Sequence, residues 1–114
     1  MIELKQSEVI ADCDEPDIEW LKRGTPHGFR VLLCHHPEYK ELLEPYADLI
    51  LAGHGHGGHW RAFGRGIFAP NQGFLPRYTK GQYGKLIVSA GLTNTTWIPR
   101  INNPTELVIV EVSP

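Results

Sequence analysis

The 114-residue chain is 41% hydrophobic and 21% charged with a formal net charge of −2; this is the balance of one globular domain, and the length leaves no room for two. No apolar run is long enough to cross a bilayer, and the opening MIELKQSEVI has two glutamates and no apolar stretch of the kind a secretory signal needs. A slightly acidic chain also lacks the dominant basic footprint of a general nucleic-acid binder.

In chain order, IELKQSEVIADC, residues 2 to 13, alternates weakly and then meets the acidic, turn-rich DCDEPD, which predicts a strand or hairpin followed by a break. Pro16 suits the first turn of a short helix carrying Ile18, Trp20 and Leu21, which stops near Gly24 and Pro26. FRVLLC, residues 29 to 34, predicts a buried strand ending at His35. Pro37 opens the next helix, with Tyr39, Leu42, Leu43 and Tyr46 as apolar contacts, before a second buried strand, ADLILA, residues 47 to 52. That strand ends at Gly53 and His54. From Gly57 to Gly84, glycines and prolines punctuate short extended pieces; KLIVSA (85 to 90) and ELVIVEV (106 to 112) are two more strand candidates. The expected fold class is α/β, treated as one unit, because no repeat or linker divides it. Cys13 and Cys34 fit a reducing compartment or a pair of buried thiols better than a disulfide framework, and the visible chain is assigned to the cytoplasm only by default.

Charge is distributed unevenly. Residues 1 to 56 carry eleven acids against five bases, while residues 57 to 105 carry no acid and six bases, Arg61, Arg65, Arg77, Lys80, Lys85 and Arg100. A positive field of this kind favours an anionic ligand, the plain alternative being an ordinary solvated surface.

Residues 53 to 60 read GHGHGGHW. Glycines allow close backbone approach and positive φ, and an extended His-x-His would aim both imidazoles to one side. Neutral imidazole is a good ligand for Zn, Mn and Fe. If the strands at 29 to 34 and 47 to 52 are parallel neighbours, their carboxyl ends bring His35 or His36 close to His54 and His56. Adjacent residues of an extended chain point to opposite sides, so one of His35 and His36 is structural, and the pattern does not choose which. His27, between Pro26 and Gly28, reads as a loop residue.

The segments VLLCHHPEY, ADLILAGHGHGG, RYTKGQYG and PRINNPTELVIVEV resemble the C-terminal half of the calcineurin-like metallophosphoesterases, in the bacterial branch with SHHPD and GHTHGGQ motifs. The likeness runs, with gaps, from about residue 29 to the end. It implies the C-terminal part of a four-layer β-sandwich flanked by helices. It also implies a shared cleft for two divalent ions, Mn, Fe or Zn, with His35 and His54 similar to ligands of the second ion and His56 to a ligand of the first. Gly55, Cys34 and His59 stand where threonine, serine or alanine, and glutamine are usual. His59 is read first as a surface side chain, with an extra ligand or a substrate contact as the alternative.

The family's Asp-x-His, Gly-Asp and Gly-Asn-His motifs have no counterpart here, and Asp12, Asp14 and Pro16 match a region just upstream of the histidine strand. The resemblance therefore implies a single partial domain over residues 1 to 114 whose N-terminal half is absent, so that this chain alone would hold one ion or none. The implied activity is phosphoester hydrolysis by a parent protein, as phosphatase or phosphodiesterase, through two-metal chemistry. Arg61 and Arg65, just beyond the histidines, would contact phosphate. The implied partners are a phosphoester substrate and the missing half or a complementary chain, with no specific nucleic acid. A non-catalytic metal-binding or interaction fragment is the competing reading. A cupin-like site is disfavoured because no acid follows His56 until Glu106. Base stacking by Trp60, Phe63, Phe68 and Tyr78 gives way to a simpler role as core and loop aromatics.

Overall fold

A computed structural model describes residues 2–3, 15–23, 28–69, 72–93 and 97–114. It is mixed α/β. Five strands form one sheet in the order β1 (Ile2–Glu3), β2 (Val31–Leu33), β3 (Leu49–Ala52), β9 (Leu86–Val88), β8 (Gly81–Tyr83). The first four run parallel and β8 returns antiparallel on β9. Between β3 and β8 lie two small hairpins, β4 (Arg61–Ala62) with β5 (Arg65–Gly66) and β6 (Phe68–Ala69) with β7 (Gly73–Phe74).

The apolar runs become central strands because each buries side chains on a covered face. Leu32 registers with Ile50, and Ile50 with Leu86, so the three form one row across the sheet. Under that row pack Leu21 from α1 (Ile18–Arg23) and Leu43 from α2 (Lys40–Leu43), all of them essentially inaccessible to water. The Asp17 carboxylate accepts the Trp20 backbone N–H at 2.9 Å and starts α1; Trp20 itself faces outward.

Two expectations change. The helix expected from Pro37 onward is one α-helical turn between two 3₁₀ turns, Pro37–Tyr39 and Glu44–Tyr46. Pro45 lacks an N–H and disfavours helix at the residue before it, and Leu42 turns out to solvent. The strand expected at 106 to 112 does not form. Glu106 is anchored, its N–H donating to the Gly91 carbonyl at 3.0 Å and its side chain accepting from Ala90 N at 2.9 Å. Beyond it the chain has no strand partner among the described residues, leaving Leu107 at 72% and Ile109 at 86% exposure. β-propensity needs a neighbouring strand to be realised. The aromatics also divide: Tyr78 is core, whereas Phe63 is fully exposed at a hairpin tip. Of the predicted N-terminal strand, β1 is described; the rest of it, with Asp12, Cys13, Asp14 and His27, lies outside the described residues.

Leu32→Ala should cost about 2 to 5 kcal/mol in chemical denaturation, whereas Leu107→Ala should stay within about 0.5 kcal/mol. Equal costs would contradict the burial pattern. Tyr78 donates its hydroxyl to Glu41, and burial, reinforced by that carboxylate, pushes the phenol up to about 12 from 10.0. Because the folded state holds this proton more tightly, its contribution to stability is complete below pH 10 and is lost as pH rises through about 12. Phenolate absorbance should therefore show one late-titrating tyrosine that disappears in Tyr78→Phe.

Candidate functional site

The parallel pairing of β2 and β3 continues past the strands, with Cys34 N–H donating to the Leu51 carbonyl at 3.0 Å and Gly53 N–H to the His35 carbonyl at 3.1 Å. Both chains thus leave the sheet side by side at its carboxyl edge. The His35 and His54 rings stand 5.0 Å apart edge to face, and His36 lies 4.1 Å from His54. A Cβ at Gly53 would meet His35 Nδ1 at 3.4 Å, an ordinary contact. His36 is buried and its Nδ1 meets the Glu38 carboxylate at 3.0 Å, so it is the member of the pair fixed by the protein, while His35 is open to solvent.

The loop after β3 is not the extended His-x-His expected from the sequence. His54, His56 and His59 all take positive φ, at 61°, 45° and 30°, with Gly57 at 69° and Gly58 at 78° between them. Left-handed backbone at a residue with a Cβ costs about 1 to 2 kcal/mol. The turn closes through Gly58 N–H to the Gly55 carbonyl at 2.6 Å. In consequence the histidines split into His54 with His35 and His36, and His56 with His59, whose rings are 5.2 Å apart.

Segment 100–103 holds the loop from outside. Ile101 N–H donates to the His59 carbonyl at 3.0 Å, Arg61 N–H to the Ile101 carbonyl at 3.0 Å, and the Asn103 amide donates to the His56 and His59 carbonyls. A side chain at Gly57 would overlap Asn103. Arg61 is a second fastener, donating to the Gly57 and Gly64 carbonyls at 2.6 Å each and to Thr79 Oγ1 at 3.1 Å. Arg65 is exposed. His59 is fully buried, not a surface side chain, because the turn folds it under the loop against Phe68.

Burial, then the neighbouring His36 and His35, lowers the His54 imidazole to about 4. His35 is lowered by partial burial, then by His36 and His56; His56 by burial, then by Arg100. Neutral rings with available lone pairs result. Nε2 of His54 is buried with no hydrogen-bond partner. Among the described residues, no group of three or more His, Cys, Asp or Glu converges to hold an ion, and no helix is long and apolar enough to cross a membrane. Sequence reasoning missed Asn103 and Arg100, though both lie in the PRINNP segment that carried part of the resemblance.

A mixed sheet with unprotonated histidines gathered beyond its parallel strand ends is a scaffold suited to ligating chemistry. An uncharacterized metallophosphoesterase of Aquifex aeolicus is 31% identical over 127 aligned positions, covering 97% of this chain and 48% of the relative. The chain is thus similar to a metallophosphoesterase over nearly all of its own length and spans about half the length of this curated relative. No protein-family model matches the chain, and no solved structure does.

Gly58→Ala, where a Cβ would meet Gly66 Cα at 2.7 Å, should destabilise the protein by well over the roughly 1 kcal/mol expected for Gly64→Ala, which has positive φ but open space. Thermal denaturation of the two variants decides this, and equal losses would mean the loop is not packed as described.

Proposed function

We propose that the protein to which this chain belongs is a metal-dependent phosphoester hydrolase, phosphatase or phosphodiesterase, and that this chain supplies the ligands His35, His54 and His56. The observation that carries this reading is His54: a buried imidazole nitrogen without a partner, beside two other histidines, in a sequence similar to a metallophosphoesterase. A neutral ring with an unshared nitrogen is what a divalent Mn, Fe or Zn ion takes from a protein. The residues present thus fit part of such a site. Because the described residues bring no three such groups together, the remaining ligands are proposed to come from another segment or a complementary chain. In the same reading, residues 1 to 114 are a single partial domain, the C-terminal part of a four-layer sandwich.

Two divalent ions, when bound, supply Lewis acidity toward the phosphoryl oxygens and the attacking water. The chain's own residues do the rest. His36, held by Glu38, fixes the turn that presents His35. Arg61 acts through the loop it fastens, and Arg65, with the acid-free stretch from 57 to 105, adds positive field toward a phosphoester. His59 is kept as an alternative extra ligand.

That no three ligating groups converge among the described residues favours a second reading, a non-catalytic metal-binding or interaction fragment. Calorimetric titration of the chain with Mn²⁺ and hydrolysis of bis(p-nitrophenyl) phosphate separate the two. The proposal expects weak Mn²⁺ binding, reduced roughly tenfold or more in His54→Ala and His35→Ala. It also expects hydrolysis only once the remaining ligands are supplied, and its loss in His56→Ala. Unchanged Mn²⁺ affinity in both ligand variants sinks the ligand assignment; Mn²⁺ binding without hydrolysis in a protein of the relative's full length favours the second reading.

A further inference from the structure

Outside the His35–His54 cluster, the described residues leave polar atoms buried without partners chiefly in one other place. The Nε and Nη1 of Arg100 have no hydrogen-bond partner, and neither ring nitrogen of His59 has one, although His59 is 0% exposed. These residues are neighbours: His56 Nδ1 lies 3.4 Å from Arg100 Nη2, and the His56 and His59 rings are 5.2 Å apart.

Arg100 is fixed rather than mobile. Its Nη2 donates to the carbonyls of Ala90, of Gly91 at 3.5 Å and of Thr93 at 2.7 Å, which ties the guanidinium to the chain leaving β9. Among the described residues no carboxylate pairs with it, although Lys22, Lys40, Arg77 and Lys80 all have acidic partners. Arg100 is a partly buried cation, and buried donors left unmet, here its Nε and Nη1, are costly unless an acceptor meets them. A guanidinium has donors and no lone pair, so the complementary group is an anion and not a metal ion. Planar, multiple N–H donors match the oxygens of a phosphate.

We propose that Arg100 and His59, with His56 between them, form an oxyanion subsite that takes the phosphoryl group of the substrate. The subsite rests on the hydrolase reading, to which it adds the group that grips the phosphate. His56 belongs to both the proposed ligand set and this subsite, so a phosphate held by Arg100 lies against the ligand set.

The test is a titration of the 114-residue chain with inorganic phosphate in the presence of a chelator, followed by the Arg Nε–H resonances in ¹⁵N-labelled protein and by calorimetry. Phosphate should shift the Arg100 Nε–H signal. Arg100→Gln should weaken binding roughly tenfold or more. Arg100→Lys, which keeps a cation for the backbone carbonyls but loses the planar donors, should weaken it comparably while circular dichroism stays native. Lys22→Gln, a charge loss on α1, should leave affinity unchanged. No phosphate binding by the unsubstituted chain, or wild-type affinity in folded Arg100→Lys, would each overturn the subsite. A parallel Mn²⁺ titration without phosphate keeps the two ideas apart. A chain that binds Mn²⁺ but not phosphate refutes the subsite alone, and one that binds phosphate but not Mn²⁺ refutes the ligand assignment alone.

Discussion

The site depends on the parallel pairing of β2 with β3 and its continuation by two backbone hydrogen bonds, Cys34 N–H to Leu51 and Gly53 N–H to His35. Parallel neighbours end at the same edge, so residues 18 positions apart, Leu33 and Leu51, come into register and the histidines beyond them meet. The row Leu32, Ile50 and Leu86 secures this register. A slip of one residue would turn those apolar side chains away from the helices and send the histidines to the opposite face.

Beyond that edge the polypeptide takes up strain. Three histidines in left-handed backbone are expensive, and such outliers persist only where surroundings over-determine them. Here the surroundings are Arg61, immediately after the loop, and Asn103 and the Ile101 side of the Trp60–Ile101 bridge, which reach it from elsewhere in the chain. Burial then keeps the rings neutral, most strongly at His54, where two more imidazoles oppose a further positive charge.

The acid-free stretch gains meaning from this arrangement. Lys80 pairs with Glu106, Arg77 with Glu41, and Arg61 is spent on backbone carbonyls. Lys85 likewise donates to the Ala47 carbonyl at 2.9 Å. Much of the positive charge apparent in the sequence is therefore used within the fold, and Arg100 stands apart because its remaining donors are buried and unmet.

The sequence by itself determined the strand–helix–strand order, the histidines at the strand ends and the family resemblance, because unbroken apolar runs, prolines and glycines act locally; the parallel pairing it offered only as a condition, which the fold meets. It also singled out His35, His54 and His56, whose roles as ligands stay a proposal. Only the tertiary structure decided that His36 is the one fixed by Glu38, that His59 is buried, and that the Gly-His-Gly-His loop curls instead of extending. The same holds for the apolar run at 106 to 112, which stays out of the sheet, since a strand exists only where another chain segment offers it hydrogen bonds. Asn103 and Arg100 were beyond a local reading for the same reason: the loop they hold and face is more than forty residues away along the chain, and only folding brings the two together.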